Sequence, residues 1–562
     1  MTGRGPRQAR AGKDGAADTR GAARGGAGSS AGGRRLRRLV AGLACAGLLV
    51  AAGVSSSAAT VGAARGLGAA RPAGARTGNL LTYDYGNGRD GLDTVDASLA
   101  GISKRAAWTR SLPGGIYGQP LVIGNQVIVG TEDDVVWGLN GSTGAIEWHF
   151  TVGSPVTAVT ARATPGLSGC GDIFPLGITG TPVIDGSHSA QGHSEIFVAG
   201  EVQRPGTSDW QGIEHVLMAA TITGTSATVL WSHQIDPPGA GSTYLIPAEQ
   251  QRSALTLSGG RIYVDFGGLN GDCGNYQGYV VSMAESGQGV LETFKVPTSR
   301  EGAIWSTGGA SIASGGELFV ATGNSANTSS GQPFDYGDAV IGLSPGLTAI
   351  DSYFAPSNWY ALNAADLDLG SGGPIQLPGG KLIFEIGKRE TNGVSTGYLL
   401  DPTALGGIGH PLFSGPVCSN GGSVFGADAA QAVTVGGRSV TYVYVPCPSG
   451  TVALTIGGSA SSPTFSVAWR APSGVESNGP PILAGGLLWA LSTGADGGAG
   501  KNQTMYGLSP LTGKLQVDRL VTPVEHFATP AAGDGRVFVA GQQGVEAFAP
   551  PAPSPAGRHD RG

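Results

Sequence analysis

The chain has 562 residues, of which 40% are hydrophobic and only 13% charged, with 99 glycines, 34 prolines and a formal charge of −6. Most glycines sit between short Val/Ile/Phe/Tyr runs, the pattern of many strands joined by tight turns. No amphipathic 3.6-residue periodicity of useful length follows residue 60, so an all-β chain with little helix is expected. Length alone leaves open one large core or two ordinary ones.

Residues 1–59 read as an address. Ten basic and two acidic residues fall in 1–38, ending in Arg34-Arg35-Leu36-Arg37-Arg38. The apolar run Leu39–Val54 follows, and then Ser55-Ser56-Ser57-Ala58-Ala59. A basic segment, an apolar segment and a small-residue cleavage site, in that order, make a secretory signal, with an uncleaved anchor as the alternative. The apolar run is shorter than the roughly 20 residues of a bilayer span. Arg34-Arg35 raises twin-arginine export without completing that motif. Cys45 lies inside the apolar run rather than closing it, which disfavours lipidation.

Without residues 1–59 the chain keeps 24 basic and 38 acidic residues, a formal charge of −14, which argues against nucleic-acid binding. Four cysteines remain, none in a CxxC or adjacent pair, so an exported chain is expected to carry two disulfides. Cys418 with Cys447 closes a short loop and leaves Cys170 with Cys273, with other pairings open. A linker over 60–78 and a Pro-rich tail over 550–562 are expected to be disordered.

Between them one strand type recurs eight times: "QVIVGTE" from Gln126, "EIFVAGE" from Glu195, "RIYVDFG" from Arg261, "ELFVATG" from Glu317, "KLIFEIG" from Lys381, "TYVYVPC" from Thr441, "LLWALST" from Leu487 and "RVFVAGQ" from Arg536. Intervals of about 45 to 70 residues are the scale of a propeller blade with variable loops. A Gly-rich loop and a shorter strand precede most of them, as in "GQPLVIG", "GTPVIDG" and "GPPILAG". In the clearest units a strand, a Thr-Gly turn and a last strand follow, as in "VVWGLNGSTGAIEW" from Val135 and "TMYGLSPLTGKLQV" from Thr504. Each unit is therefore a four-stranded antiparallel meander. The eighth lacks its last strand, and Lys104–Leu112, with Trp108, supplies one from the other end of the chain. The prediction is one all-β domain over 79–549, an eight-bladed β-propeller closed by its N- and C-terminal strands.

The stretch "VWGLNGSTGAIEW" is similar to the propeller repeat of the quinoprotein alcohol dehydrogenase-like superfamily, with Gly138 and Asn140 where that repeat has Ala and Asp. Its logic places Asn140 as a turn cap, Gly144 at positive φ and Trp148 over the neighbouring blade's turn. "LLTYDYGNGRDGLDT", "IYGQPLVIG", "ALNAADLDLGS" and "HFATP" further resemble secreted actinobacterial propellers with pyrroloquinoline-quinone (PQQ)-binding-like repeats.

The resemblance implies PQQ and Ca²⁺ over the channel. Asn324 and Asp338 in "ATGNSANTSSGQPFDYGDAV" then match metal-ligating positions, and Asp366 and Asp368 fall near the catalytic aspartate. Trp305 and Trp359 are candidates for stacking, and Lys388 and Arg389 for holding an anionic quinone. The adjacent cysteine pair, the haem motif and a metal-ligating Glu of such enzymes are missing. The residues alone read Asn324 as a turn former and Asp366 and Asp368 as loop caps. His188 and His193 read as a solvated loop, and Asn270, Asp272 and Asn275 as a disulfide-pinned loop. No Walker or zincin motif occurs. The expectation is a monomeric, extracytoplasmic, non-catalytic module. It would bind a protein, glycan or small molecule at the channel face, with the loops Gln203–Glu214 and Ser325–Tyr336 as candidates. The alternative is a PQQ- and Ca²⁺-dependent dehydrogenase acting on an alcohol or sugar.

Overall fold

A computed structural model describes residues 78–551 apart from 97, 239–244, 420 and 494–502. The expectations for residues 1–77 and 552–562, the signal segment among them, lie outside the described residues. The rest forms eight antiparallel four-stranded blades, two of them with one extra antiparallel strand and one with an extra short parallel strand. Blade 1 runs Leu121–Ile123, Gln126–Gly130, Val135–Asn140 and Ile146–Thr151. The helices are few and short, Ala158–Arg162 and Trp359–Asn363 being the α-helices. No helix among the described residues is long and apolar enough to cross a membrane.

Turn chemistry sets the blades. Type I′ hairpins need positive φ at both central residues, and Gly259-Gly260, Gly436-Gly437, Gly485-Gly486 and Asp534-Gly535 all supply it between the first and second strands. At the third turn of blade 1, Asn140 Oδ1 accepts the Ser142 and Thr143 N–H groups, each at 3.1 Å, and Gly144 takes φ +68°. A Cβ on Gly144 would lie 2.5 Å from the Trp108 indole, whose Nε1 donates to Gly141 O at 2.8 Å. The same docking recurs twice, Trp231 over Gly287 and Trp469 over Gly513, each tryptophan coming from the outer strand of the preceding blade. Trp148 departs from this expectation and lies across Gly138 of its own blade. The next blade's turn, Thr223–Ser226, closes on itself through Thr223 N and Ser226 O at 2.8 Å, and Gly224 has no neighbour to receive an indole.

The ring closes as its ends predict: Trp108–Ser111 pairs antiparallel with Gly544–Phe548 to complete blade 8. The segment "LLTYDYGNGRDGL" just before it does something the sequence reading left unassigned, which is to plug the channel. Its backbone bonds Val122 of blade 1 and Ile184 of blade 2, then Ile312, Gln376, Ala430 and Leu483 of blades 4 to 7, at 2.7–2.9 Å. Asn87 Nδ2 donates to Leu257 O of blade 3, and Tyr85 OH to Ala532 O of blade 8. The first strands are short and would otherwise turn unpaired amides into the channel, so the plug satisfies all eight of them. Arg89, 1% exposed, is its hub, donating to Ala310 O, Thr82 Oγ1, Tyr83 O, Leu255 O and Thr256 Oγ1.

Several carboxylates are buried around this centre. Glu132, 2% exposed, accepts the Gly177 N–H at 2.7 Å through Oε2 and lies beside the Thr179 hydroxyl. Burial pushes its pKa from 4.5 up to about 8, against the lowering effect of the Gly177 bond. A raised folded pKa means stability is complete below the unfolded value and is lost as pH rises through the folded one. Glu132→Gln is therefore expected to be more stable than the parent at pH 9 by a few kcal/mol, with the difference closing below pH 5. Urea midpoints at the two pH values check it, and an equal effect at both would refute it.

Candidate functional site

One pocket of about 420 Å³ opens beside the plug, where the loops between second and third strands meet those entering first strands. Trp305, Phe425 and Phe527 form its aromatic wall, with ring centroids 5.0 to 6.3 Å apart. The Arg252 guanidinium lies 4.2 Å from the Phe527 centroid and 5.6 Å from that of Trp305. Among the described residues Arg252 has no carboxylate within ion-pair distance, and Asp172 is the acidic group with the largest influence on it. Burial lowers its pKa to about 10, so it is cationic at neutral pH. Beside it His526 is pushed down to about 3, first by burial and then by Arg252, and is a neutral imidazole.

The opposite wall is charged. Lys388 Nζ sits 2.6 Å from Asp366 Oδ1 and 3.1 Å from Asp368 Oδ2. Burial works against its charge, and the Asp368 and Asp366 carboxylates overcome that, raising its pKa above the ordinary value. Asp368, 4% exposed, also accepts the Asn324 N–H at 3.0 Å. Asn324 Nδ2 points to Asp272 Oδ2 at 3.3 Å, and Asp272 Oδ1 accepts the Tyr276 hydroxyl at 2.6 Å. The Cys170–Cys273 disulfide ties together the two loops that carry Asp172, Asn270 and Asp272 to the rim. The second disulfide, Cys418–Cys447, joins blades 5 and 6.

Six sequence candidates, Trp305, Asn324, Asp366, Asp368, Lys388 and Arg389, thus line one pocket. Two do not. Asp338 is fully buried behind it with Oδ1 accepting the Leu369 N–H at 2.7 Å. Trp359 packs into the apolar core beside Phe334. The loops Gln203–Glu214 and Ser325–Tyr336 are also absent from the lining, being folded on themselves through Gln203 to Thr207 and Ser325 to Asp335. His188 and His193 stack at 5.3 Å, with His188 near Asp185. No group of three or more His, Cys, Asp or Glu among the described residues can hold a metal.

Sequence reasoning missed Arg252, Phe425 and Phe527. A signal was present: Tyr117, Arg252, Phe425 and Phe527 each stand four residues before the first strand of their blade, and each is followed by a small residue. In a propeller equal offsets mean equal places around the axis, so these side chains converge.

The fold and the pocket define an eight-bladed propeller with a plugged channel and a mixed aromatic and charged site at its mouth. A family profile described as outer membrane protein assembly factor BamB matches residues 56–326, just under half of the chain. Among solved structures it is similar to a quinohemoprotein alcohol dehydrogenase from Pseudomonas putida HK5, at 12% identity and TM-score 0.54 over 85% of this chain and 82% of that one. The enzyme of the same type from Comamonas testosteroni gives 15% identity and TM-score 0.54, again over 85% and 82%. A europium-containing methanol dehydrogenase gives 13% and 0.52 over 84% and 98%. At these identities the likeness is one of fold. No curated protein sequence matches the chain.

Proposed function

We propose that the protein is an exported, non-catalytic binding module that takes a small anionic ligand with a flat apolar body at the channel mouth. The observation that carries this is Arg252, a guanidinium held between Phe527 and Trp305, donating no hydrogen bond among the described residues and facing a pocket large enough for a small molecule. A half-buried cation is costly without a counter-charge, and a ligand carboxylate would supply one. Calorimetric screening of aromatic carboxylates, PQQ among them, should find a binder whose affinity falls at least about tenfold with Arg252→Met, the scale of one charged hydrogen bond. Unchanged affinity in a folded variant would refute the role of Arg252. Export predicts that the mature chain begins near Thr60, which N-terminal sequencing checks.

A second reading is a PQQ-dependent dehydrogenase acting on an alcohol or sugar. It is favoured by the convergence of Trp305, Asn324, Asp366, Asp368, Lys388 and Arg389 on one pocket, and by the dehydrogenase names of the fold neighbours. Trp305 and the cations Arg252, Lys388 and Arg389 suit a flat anionic quinone, whereas the oxygen donors do not suit Ca²⁺. Protein incubated with PQQ and Ca²⁺ is expected not to reduce a dye with alcohols or glucose. Turnover abolished by Asn324→Ala would replace the first reading with this one.

A further inference from the structure

Both carboxylates that a divalent cation would need in this pocket are already engaged by Lys388. Asp368 uses Oδ1 for the Asn324 N–H and Oδ2 for Lys388. Asp366 gives Oδ1 to the same ammonium, and its main-chain oxygen accepts from Nζ at 3.2 Å. Asn324 turns its amide nitrogen toward Asp272, and Asp338, which does not line the pocket, gives Oδ1 to the Leu369 N–H and keeps Oδ2 buried without a hydrogen bond among the described residues. Ca²⁺ takes six to eight oxygens at about 2.3–2.6 Å, and no such set converges here. Instead a positive charge already stands between the two carboxylates. It is held on a rigid element: Lys388 follows the strand Ile383–Ile386, its own N–H donates to Asp368 O at 2.9 Å, and its ammonium lies 5.7 Å from the Trp305 ring.

We propose that Lys388 is a fixed cation in the place of an exchangeable one, so that the pocket receives its anionic ligand without a divalent metal. The ligand part rests on the binding reading above; the metal part does not, because it follows from the Lys388, Asp366 and Asp368 geometry alone. The three donors of the ammonium meet two carboxylates and the Asp366 main-chain oxygen, so Lys388 acts on a ligand through its charge, and a direct bond to the ligand would replace the 3.2 Å contact to Asp366 O. A second cation beside it would be repelled.

The test uses Tb³⁺ and Ca²⁺ alone, with tryptophan-sensitised Tb³⁺ emission and calorimetry as readouts. The parent protein is expected to show no saturable, Ca²⁺-competed Tb³⁺ site in the pocket. Its thermal midpoint should move by less than about 1 °C between EDTA and ~1 mM Ca²⁺. Lys388→Met releases Asp366 and Asp368 and should gain a Tb³⁺ site at least about tenfold tighter than anything in the parent. Adding Asp368→Asn to that variant should remove the gain, which assigns it to the pocket. A parent that binds Ca²⁺ saturably and is stabilised by it, or a folded Lys388→Met protein that gains nothing, would overturn the proposal. If Lys388→Met does not fold, the EDTA and Ca²⁺ midpoints of the parent still decide the point. Failure to find any anionic ligand would count against the binding reading and leave these metal results standing.

Discussion

A chain lacking residues 82–112 is expected to yield no soluble folded protein. The deletion removes all of the plug after Leu81 and the last strand of blade 8 together. It takes away Tyr83, Leu99, Ile102 and Leu112, each at most 6% exposed, and each worth about 1.5–3 kcal/mol of burial. Their sum alone rivals the whole stability of an ordinary domain, about 5–15 kcal/mol. What remains is also exposed in the worst way, because Gly544–Phe548 loses its partner strand and the short first strands of blades 3 to 8 lose their hydrogen bonds to the plug. Soluble yield and far-UV circular dichroism read the outcome. A truncated protein as soluble and as stable as the parent would show that the ring closes without these elements.

The largest single-residue effect is expected at Arg89. Arg89→Met keeps much of the volume but abolishes five hydrogen bonds to the plug and to blades 3 and 4. It also leaves Asp84 and Asp265, both buried and both influenced by the Arg89 charge, without compensation. Removing one partner from a buried charge cluster costs about 3–5 kcal/mol, and urea unfolding at pH 7.5 should show a loss of that size. Burial already raises Asp265 to about 7 in the presence of Arg89. The loss should therefore shrink at pH 5, where Asp265 is protonated in the folded protein. Arg89→Lys should recover only a minor part, since one ammonium cannot reach acceptors laid out for a planar fork. A loss below about 1 kcal/mol for Arg89→Met would mean that the plug is held by its backbone alone.

The two results bear on function through the same geometry. The plug fills the axis, so a ligand cannot pass through the ring, and Tyr83, Arg252 and Phe527 line a small cavity between plug and pocket floor. The pocket is thus a closed-ended cup whose floor depends on the plug, and weakening the plug should loosen ligand contacts without touching a pocket side chain.

Local chemistry decided the blades before any tertiary contact. The eightfold strand, the Gly-Gly hairpins and the Asn140-to-Gly144 turn are each dictated by residue type and φ, and a meander of that period has few ways to bury its faces other than a ring. The missing last strand of blade 8 was legible for the same reason: an unpaired edge must be filled, and Lys104–Leu112 carries the right pattern with Trp108 in the docking position. Trp148 shows the limit, since whether an indole docks depends on the turn it meets in the next blade, here Thr223–Ser226.

The plug and the pocket belonged to the tertiary structure. "LLTYDYGNGRDGL" has neither the alternation of a strand nor the period of a helix, because its contacts go to eight different blades rather than to one neighbour. Asp366 and Asp368 were visible as acidic residues. Their sharing of Lys388, 20 residues or more along the chain, was decided by the path of blade 5. Arg252, Phe425 and Phe527 come from three blades and meet only because the ring places equal offsets at one mouth. Sequence by itself determined the repeat, its turns and its closure, which are local or pairwise. The site was decided by closure of the ring, since its residues are neighbours in no other arrangement of the same strands.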